Sequence, residues 1–358
     1  MERWATLTAR HISFTGICWI NYNDYMRRKV FSINTELDKV TGVQKVLLDV
    51  HRAVKDDYDA KIVGTIPYEK VNGNHGISRA EYLQLKNPFM LRNSIVFVHE
   101  RKLLALFWLL NNVFFQRIKI VYIHHNVFYT HRRLSIMPKT VVAISDSGIE
   151  NLTGYFKVPI GHIHKIYNCV MDIKPRAHSV PSNGDISIIY PARISDVKRQ
   201  IEIVNRLEGK IDGRVKIYFA GEGPMLEQLK ERVKGNDQFI ALGFRADVLR
   251  LMQEMDYMML FSKHEGLPIT LIEADMTGTP VICNNVGGNA EIVHNGENGF
   301  VLEKDDWEGL IKTLNALPEI SAEEFKRLSD EGRHLYEKNF TFEHFKKQYL
   351  SLLEPLKF

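Results

Sequence analysis

Between Lys29 and Asn285 the chain gathers β-branched and aromatic residues into short runs, separated by polar turns or by stretches with helical spacing. In the first half these runs are "KVFSIN" (29–34), "AKIVGTI" (60–66), "SIVFVHE" (94–100), "KIVYIHH" (119–125) and "KTVVAIS" (139–145). The second half repeats the scheme with "DISIIYPA" (185–192), "VKIYFAG" (215–221), "FIALGF" (239–244), "YMMLFS" (257–262) and "PVICNN" (280–285). Most are near-continuously apolar rather than alternating, the pattern of strands covered on both faces. Amphipathic segments such as "GVQKVLLDVHRAV" (42–54) lie between some of them. Strands that alternate with helices predict parallel sheets with helices on both faces. The Pro-, Ser- and Asn-rich stretch 172–184 reads as a linker. The expected fold class is therefore α/β: two Rossmann-like, doubly wound parallel-sheet domains, 26–171 and 185–339, facing a central cleft.

Length and composition agree with this division. A chain of 358 residues suits two domains, and 25% charged with 45% hydrophobic residues is the balance of a globular protein. The net charge of +4 demands no polyanion, so nucleic acid is not an expected partner. Cys18, Cys169 and Cys283 lie far apart without CxxC spacing, which points to a reducing cytoplasm and to neither a disulfide framework nor a zinc site. The longest apolar stretch, "LLALFWLLNNVFF" (103–115), is too short and too interrupted to span a bilayer. It reads as a core helix beneath the sheet in preference to a lipid-facing surface.

Two such domains invite a dinucleotide, but the glycine motifs do not support one. In "GEGPML" (221–226) Leu226 stands where GxGxxG needs its third glycine, and after the first strand only Gly42 is available. The phosphate-loop pattern GxxxxGK[ST] is also missing. What remains is a set of motifs in fixed order: "PARISDVKRQ" (191–200), "GEGPMLEQL" (221–229), "LGFRADV" (242–248), "SKHEGLPITLIEADMTGTPVI" (262–282) and "VGGNAEIVHNGENGFV" (286–301). In order and spacing they resemble the retaining GT-B glycosyltransferases of family four, and "TGVQKV", "HHN", "AISDSG" and "IYNCV" extend the likeness through the first half.

The resemblance implies a transferase using a nucleotide-diphosphate sugar, UDP- or GDP-linked, and gives the pair Glu265 and Glu273 a physical meaning. The turn "KHEGLP" ends a strand at the cleft, and Pro268 opens a helix whose free amides and dipole favour a diphosphate. Glu265 is expected to accept hydroxyls of the donor sugar and Glu273 those of the ribose, with Gly266, Leu267 and Pro268 at the close approach. Arg193 and Lys198 match the cations that hold the donor phosphates and stabilise the departing diphosphate, which makes a metal unnecessary. Ala192 departs from the glycine usual there. Gly42, Gly221 and Glu222 complete the expected donor site. The family also carries a histidine beside the sugar; His124 is slightly preferred for it, with His125 the alternative. "DYD" (57–59) reads as a solvated turn rather than a metal motif.

The acceptor is expected to be a glycan or lipid-linked molecule in bacterial surface polysaccharide synthesis, with peripheral contact at the inner face of the membrane. Competing readings are a nucleotide-sugar epimerase of the same architecture and a binding module without activity. The segment 340–358 is expected to form a last helix that crosses back to the first domain. Residues 1–25 lack any clean period or targeting pattern and read as either a mistaken upstream start or a disordered extension, dispensable to the fold.

Overall fold

Each β-branched run has two apolar faces to cover, and the chain satisfies this by stacking the runs as parallel strands between helices. The computed structural model describes residues 28–132, 135–173 and 184–356. In the first sheet, β1 (Lys29–Ile33), β2 (Asp59–Gly64), β3 (Tyr82–Gln84), β4 (Ile95–Val98), β5 (Lys119–His124), β6 (Thr140–Ala143) and β7 (Ile163–Lys165) lie in the order β3-β2-β1-β4-β5-β6-β7, all parallel. Its helices are α1 (Gly42–Val54), α2 (Leu104–Asn112) and α3 (Asp146–Glu150). The second sheet repeats the winding with β8 (Ile186–Pro191), β9 (Val215–Ala220), β10 (Phe239–Gly243), β11 (Tyr257–Leu260), β12 (Val281–Asn284) and β13 (Gly299–Leu302), in the order β10-β9-β8-β11-β12-β13 and again parallel. Around it run α4 (Gln200–Leu207), α5 (Leu226–Arg232), α6 (Val248–Glu254), α7 (Ile269–Thr277), α8 (Asn289–Ile292), α9 (Trp307–Ala316) and α10 (Ala322–Asn339), and α11 (Phe342–Leu353) closes the chain's helices.

In both sheets the first strand is central and the order reverses beside it, between β1 and β4 and between β8 and β11. Loops diverge at that point and leave a crevice at the carboxyl ends of the strands. Arg193 follows β8 and Glu265 follows β11, so the two motifs flank the second sheet's crevice.

All ten strands expected from the apolar runs are present, and β3, β7 and β13 are additional. These three lie at sheet edges and span three or four residues that are mostly half-buried. At three or four partly covered residues they carry no apolar run long enough to read, unlike the longer edge strand β10.

Two expectations about helices meet the structure differently. Helix α2 buries Leu104, Phe107 and Leu110 but leaves Trp108 and Leu109 exposed, followed by Val113, Phe114 and Phe115. The reading of this stretch as a core helix is thus corrected for its outer face. Helix α11 lies on the first domain: Tyr349 meets the ring of Phe97 on β4 edge-on at 5.6 Å, and Lys346 lies 3.5 Å from Asp56 and Asp57 beyond α1. The chain passes between domains twice, at Val170 and at Thr341, where the two passes pair as a parallel bridge. The Val170 amide donates to the Phe340 carbonyl at 3.1 Å, and Tyr336 Oη donates to the Val170 carbonyl at 3.0 Å. The extension 1–25 and most of the linker 172–184 lie outside the described residues.

Candidate active site

The second-domain wall of the cleft is built from two loops held together from beneath. Tyr190, on β8 and fully buried, donates its hydroxyl to the Lys198 carbonyl at 2.8 Å and accepts the Phe261 amide at 3.0 Å. Asn284 brackets the next residue, accepting the Ser262 amide at 3.0 Å and donating to its carbonyl at 2.8 Å. A buried hydroxyl and a buried amide with both ends satisfied cannot turn away without losing hydrogen bonds. Loops 191–198 and 261–268 are thereby fixed relative to each other, and Lys198 Nζ sits 2.5 Å from Glu265 Oε1. Arg193 is exposed on the same wall and makes no ion pair among the described residues.

The "GEG" turn supports this wall and does not face the cavity. The Ile194 amide donates to the Glu222 carbonyl at 2.8 Å, and a Cβ at Gly221 or Gly223 would meet the carbonyl oxygen of Ala192 or Ile194 at 2.1 Å. The glycines are required because two backbones touch here, the segment carrying Arg193 and the turn behind it. Glu222 is exposed, and neither it nor Gly221 is among the residues that line the cavity.

The opposite wall comes from the first domain. Thr41 and Gly42 open α1 there, and His125, Asn126 and Asn168 complete the side. Together with Ala192, Arg193, Lys198 and residues 265–270 they enclose about 390 Å³, within the usual range of a small-ligand pocket. The two walls meet tightly at Gly266, where a Cβ would lie 2.4 Å from the His125 carbonyl oxygen and 3.0 Å from Asn126 Oδ1. Glu291 ties the domains nearby, accepting the Asp146 amide at 2.7 Å and pairing with Lys165 at 3.0 Å.

The two histidines separate cleanly. His124 lies on the Tyr122 side of β5, with Nδ1 3.3 Å from the Tyr122 hydroxyl and Nε2 3.1 Å from Asn151 Oδ1. Both ring nitrogens are engaged and Phe128 and Phe156 meet the ring edge-on, so His124 is a packed core histidine away from the cavity. His125 is the one that lines it, which corrects the preference for His124. Its Nε2 lies 3.1 Å from Nδ1 of His99, and the rings stack at 5.2 Å between centroids. Burial pushes His125 down to about 3 and holds His99 well below the usual histidine range, so both are neutral and one donates to the other.

Glu273 lies deeper along helix α7. Pro268 is the N-cap and α7 starts at Ile269, so Glu273 sits one turn into the helix, past Thr270, and does not line the cavity. Burial pushes its carboxyl up to about 7, with Lys45 lowering and Asp49 raising it across the interface. A carboxyl whose folded pKa is raised destabilises the fold progressively as pH climbs from about 4.5 to about 7, because the folded state must then surrender a proton that the unfolded state has already lost. Glu273→Gln is therefore expected to raise the thermal midpoint at pH 8 by ~2–4 °C, about 1–2 kcal/mol, and to do little at pH 4, as followed by calorimetry. An equal shift at both pH values would contradict this.

The amino end of α7 supplies the site's main backbone charge. Pro268 offers no side-chain cap, so the first amides of a nine-residue helix open towards the cavity where Ile269 and Thr270 line it. Their partial positive charge adds to Arg193 and Lys198, and the three together suit a diphosphate. Among the lining residues Glu265 is the only carboxylate. No group of three or more His, Cys, Asp or Glu able to hold a metal occurs among the described residues. No helix among them is long and apolar enough to cross a membrane.

Thr41, His125, Asn126 and Asn168 bring the first domain into the site, and Tyr190 and Asn284 position it. Of these only His125 was singled out as a candidate, although Thr41, Asn126 and Asn168 lie within the motifs "TGVQKV", "HHN" and "IYNCV". Tyr190 and Asn284 act through backbone atoms of distant loops, for which no motif spacing exists.

Residues 173–335 match the family described as Glycosyl transferases group 1. The chain is 32% identical over 98 residues to the UDP-Gal:alpha-D-GlcNAc-diphosphoundecaprenol alpha-1,3-galactosyltransferase of Escherichia coli, 26% of this chain and 25% of that protein. It is 25% identical over 233 residues to the N-acetyl-alpha-D-glucosaminyl L-malate synthase of Bacillus anthracis, 61% of this chain and 60% of that protein. The matched stretch thus spans less than two thirds of either relative. The crystal structure of Anabaena HepE in complex with UDP superposes with a TM-score of 0.76 at 17% identity, covering 92% of this chain and 100% of that one. The chain therefore has the GT-B fold, and its second half is similar to the glycosyl transferases group 1 family.

Proposed function

We propose that this chain is a retaining glycosyltransferase of family four, moving a sugar from a UDP-linked donor to a glycan or lipid-linked acceptor in bacterial surface polysaccharide synthesis. The observation that carries the reading is the convergence of Arg193, Lys198 and the α7 amino end beside Glu265 in one interdomain cavity. The donor diphosphate lies against the two cations and the helix amides, and the sugar reaches toward Glu265 and His125. As the bond from the anomeric carbon to the diphosphate breaks, negative charge grows where the cations already stand, so they stabilise the transition state more than the ground state. The acceptor oxygen bonds to the same face and gives its proton to the departing phosphate. Glu265, the one carboxylate of the cavity lining, is paired with Lys198 and acts in this reading as an acceptor for the donor sugar's hydroxyls, not as a nucleophile.

The UDP donor is supported by the names of the galactosyltransferase and of the HepE complex, and the lipid-linked acceptor by the diphosphoundecaprenol of the former. Because Arg193 and Lys198 supply the positive charge, the reaction needs no divalent metal. The enzyme works in the cytoplasm at the inner face of the membrane, where such acceptors are presented.

Incubation with UDP-galactose, UDP-glucose or UDP-N-acetylglucosamine, with and without a diphosphoundecaprenol-linked sugar and in the presence of chelator, tests this. Glycosylated lipid and free UDP are expected only when the acceptor is present. Formation of an epimer from the nucleotide sugar alone would establish the isomerase reading instead. A strict requirement for magnesium or manganese would overturn the metal-free mechanism.

A further inference from the structure

The outer face of α2 and the turn after it are built to stay apolar in water. Trp108 is 44% exposed, Phe114 47% and Phe115 73%, and Phe89 joins them by meeting the Phe114 ring edge-on at 5.5 Å. The turn is held in this shape. Asn111 donates to the Ile118 carbonyl at 2.7 Å and accepts its amide at 2.8 Å, and the Gln116 amide donates to the Leu110 carbonyl at 3.1 Å. Phe115 and Arg117 have φ of 49° and 54°, a left-handed backbone that bulky L-residues adopt at a cost. That cost is borne in a loop that sends Phe114, Phe115 and Arg117 outward. Beside it a groove of about 450 Å³ is lined by Trp108, Ile136, Met137 and Leu356 together with Lys119 and Lys139.

Charge selects among the occupants. Residues 86–145 contain nine Lys and Arg and one acid, Glu100, so this stretch exceeds the chain's whole surplus of +4 and the remainder is net acidic. Glu100 is itself engaged, accepting Thr35 Oγ1 at 2.7 Å and pairing with Lys102 at 2.8 Å. Lys86, Arg92, Arg117 and Lys139 are exposed and make no ion pair among the described residues. A second copy on this face would oppose like charges about a two-fold axis. Residues 1–27, with three arginines and two acids, bring no negative surplus to it. Aromatic rings set among single-sign cations suit the boundary of an anionic bilayer, where the rings enter the headgroup region and the cations meet phosphates.

We infer that the face formed by Phe89, Trp108, Phe114 and Phe115, framed by Arg92, Arg117 and Lys139, is a docking surface for an anionic lipid bilayer. The nine-residue α2 lies on the bilayer and does not span it. This deepens the placement at the inner membrane face proposed above and rests on it only for the choice of membrane.

Flotation of the full chain with vesicles of phosphatidylcholine, with and without phosphatidylglycerol, tests the assignment. Binding is expected to the anionic vesicles alone and to weaken in high salt. Trp108→Glu with Phe115→Glu abolishes it, and Arg117→Glu with Lys139→Glu weakens it at least about fivefold for each cation. Since all four side chains are exposed, the variants should keep the wild-type thermal midpoint. Brominated lipid quenches tryptophan emission in the wild type, and Trp108→Phe removes that quenching while binding persists. No binding to anionic vesicles, unchanged binding by the double glutamate variant, or a dimer that Trp108→Glu dissociates would each overturn the assignment. Vesicle binding and sugar transfer are read separately, so failure of one leaves the other standing.

Discussion

Lys198→Ala is expected to lower turnover by about two to three orders of magnitude, ~3–4 kcal/mol of transition-state stabilisation, while the thermal midpoint falls by only a few degrees. The ammonium sits 2.5 Å from Glu265 Oε1 and is placed there by its own carbonyl, which Tyr190 holds from below. In the resting protein the Lys198 side chain is 22% exposed but that of Glu265 only 9%, so loss of the lysine leaves a largely buried carboxylate unpaired and costs the fold about 1–3 kcal/mol. During transfer the same cation faces a diphosphate that is gaining charge, and there no solvent rearrangement replaces it. The effect should therefore fall on kcat more than on KM. Arg193→Ala should behave alike through the guanidinium that has no protein ion-pair partner among the described residues. Steady-state kinetics beside calorimetry would decide, and wild-type turnover in Lys198→Ala would end the assignment of the leaving-group site to this wall.

A second large effect is expected from one methyl group. In Gly266→Ala the new Cβ would stand 2.4 Å from the His125 carbonyl oxygen and 3.0 Å from Asn126 Oδ1, closer than non-bonded atoms tolerate. The first of these is backbone on the end of a central strand and cannot yield, so the domains must part or the turn carrying Glu265 must shift. A displacement near 1 Å at reacting groups costs about a hundredfold in rate. We expect turnover to drop by about that factor while each domain keeps its secondary structure, since the contact belongs to the interface. A crystal structure or small-angle scattering of the variant would show the separation. A fully active Gly266→Ala would mean that catalysis does not use this closed arrangement.

What could be read from the residues was whatever repeats or clusters along the chain. Buried central strands are legible because two covered faces force an unbroken apolar run, and β3, β7 and β13 are not because each is too short and too partly covered to show one. Glu265, Arg193 and Lys198 were found because the motifs that carry them stand in the order and spacing of a known family; singly, each reads as well as a solvated charge in a turn. Gly221 and Glu222 were assigned to the ligand, and that their turn supports the neighbouring backbone depends on which chain lies behind it. The histidines turned on strand alternation. Val121 and Ile123 pack in the cluster that contains α1, and Tyr122 in the cluster beneath α2. His124 follows Tyr122, and only the knowledge of which face carries α1 would have directed the choice to His125.

The return of α11 to the first domain has a consequence for how the protein comes into being. Phe97 emerges from the ribosome 252 residues before Tyr349, the ring that covers it. At ordinary elongation rates that is a delay of roughly 10–50 s, during which the outer side of α1 and β4 has no permanent cover. The half of the protein made first is thus the half completed last, and it waits for a segment that must first traverse the whole second domain. Until then the nascent chain presents a sticky apolar flank, so chaperone dependence should concentrate on the early domain even though its sheet has long been translated.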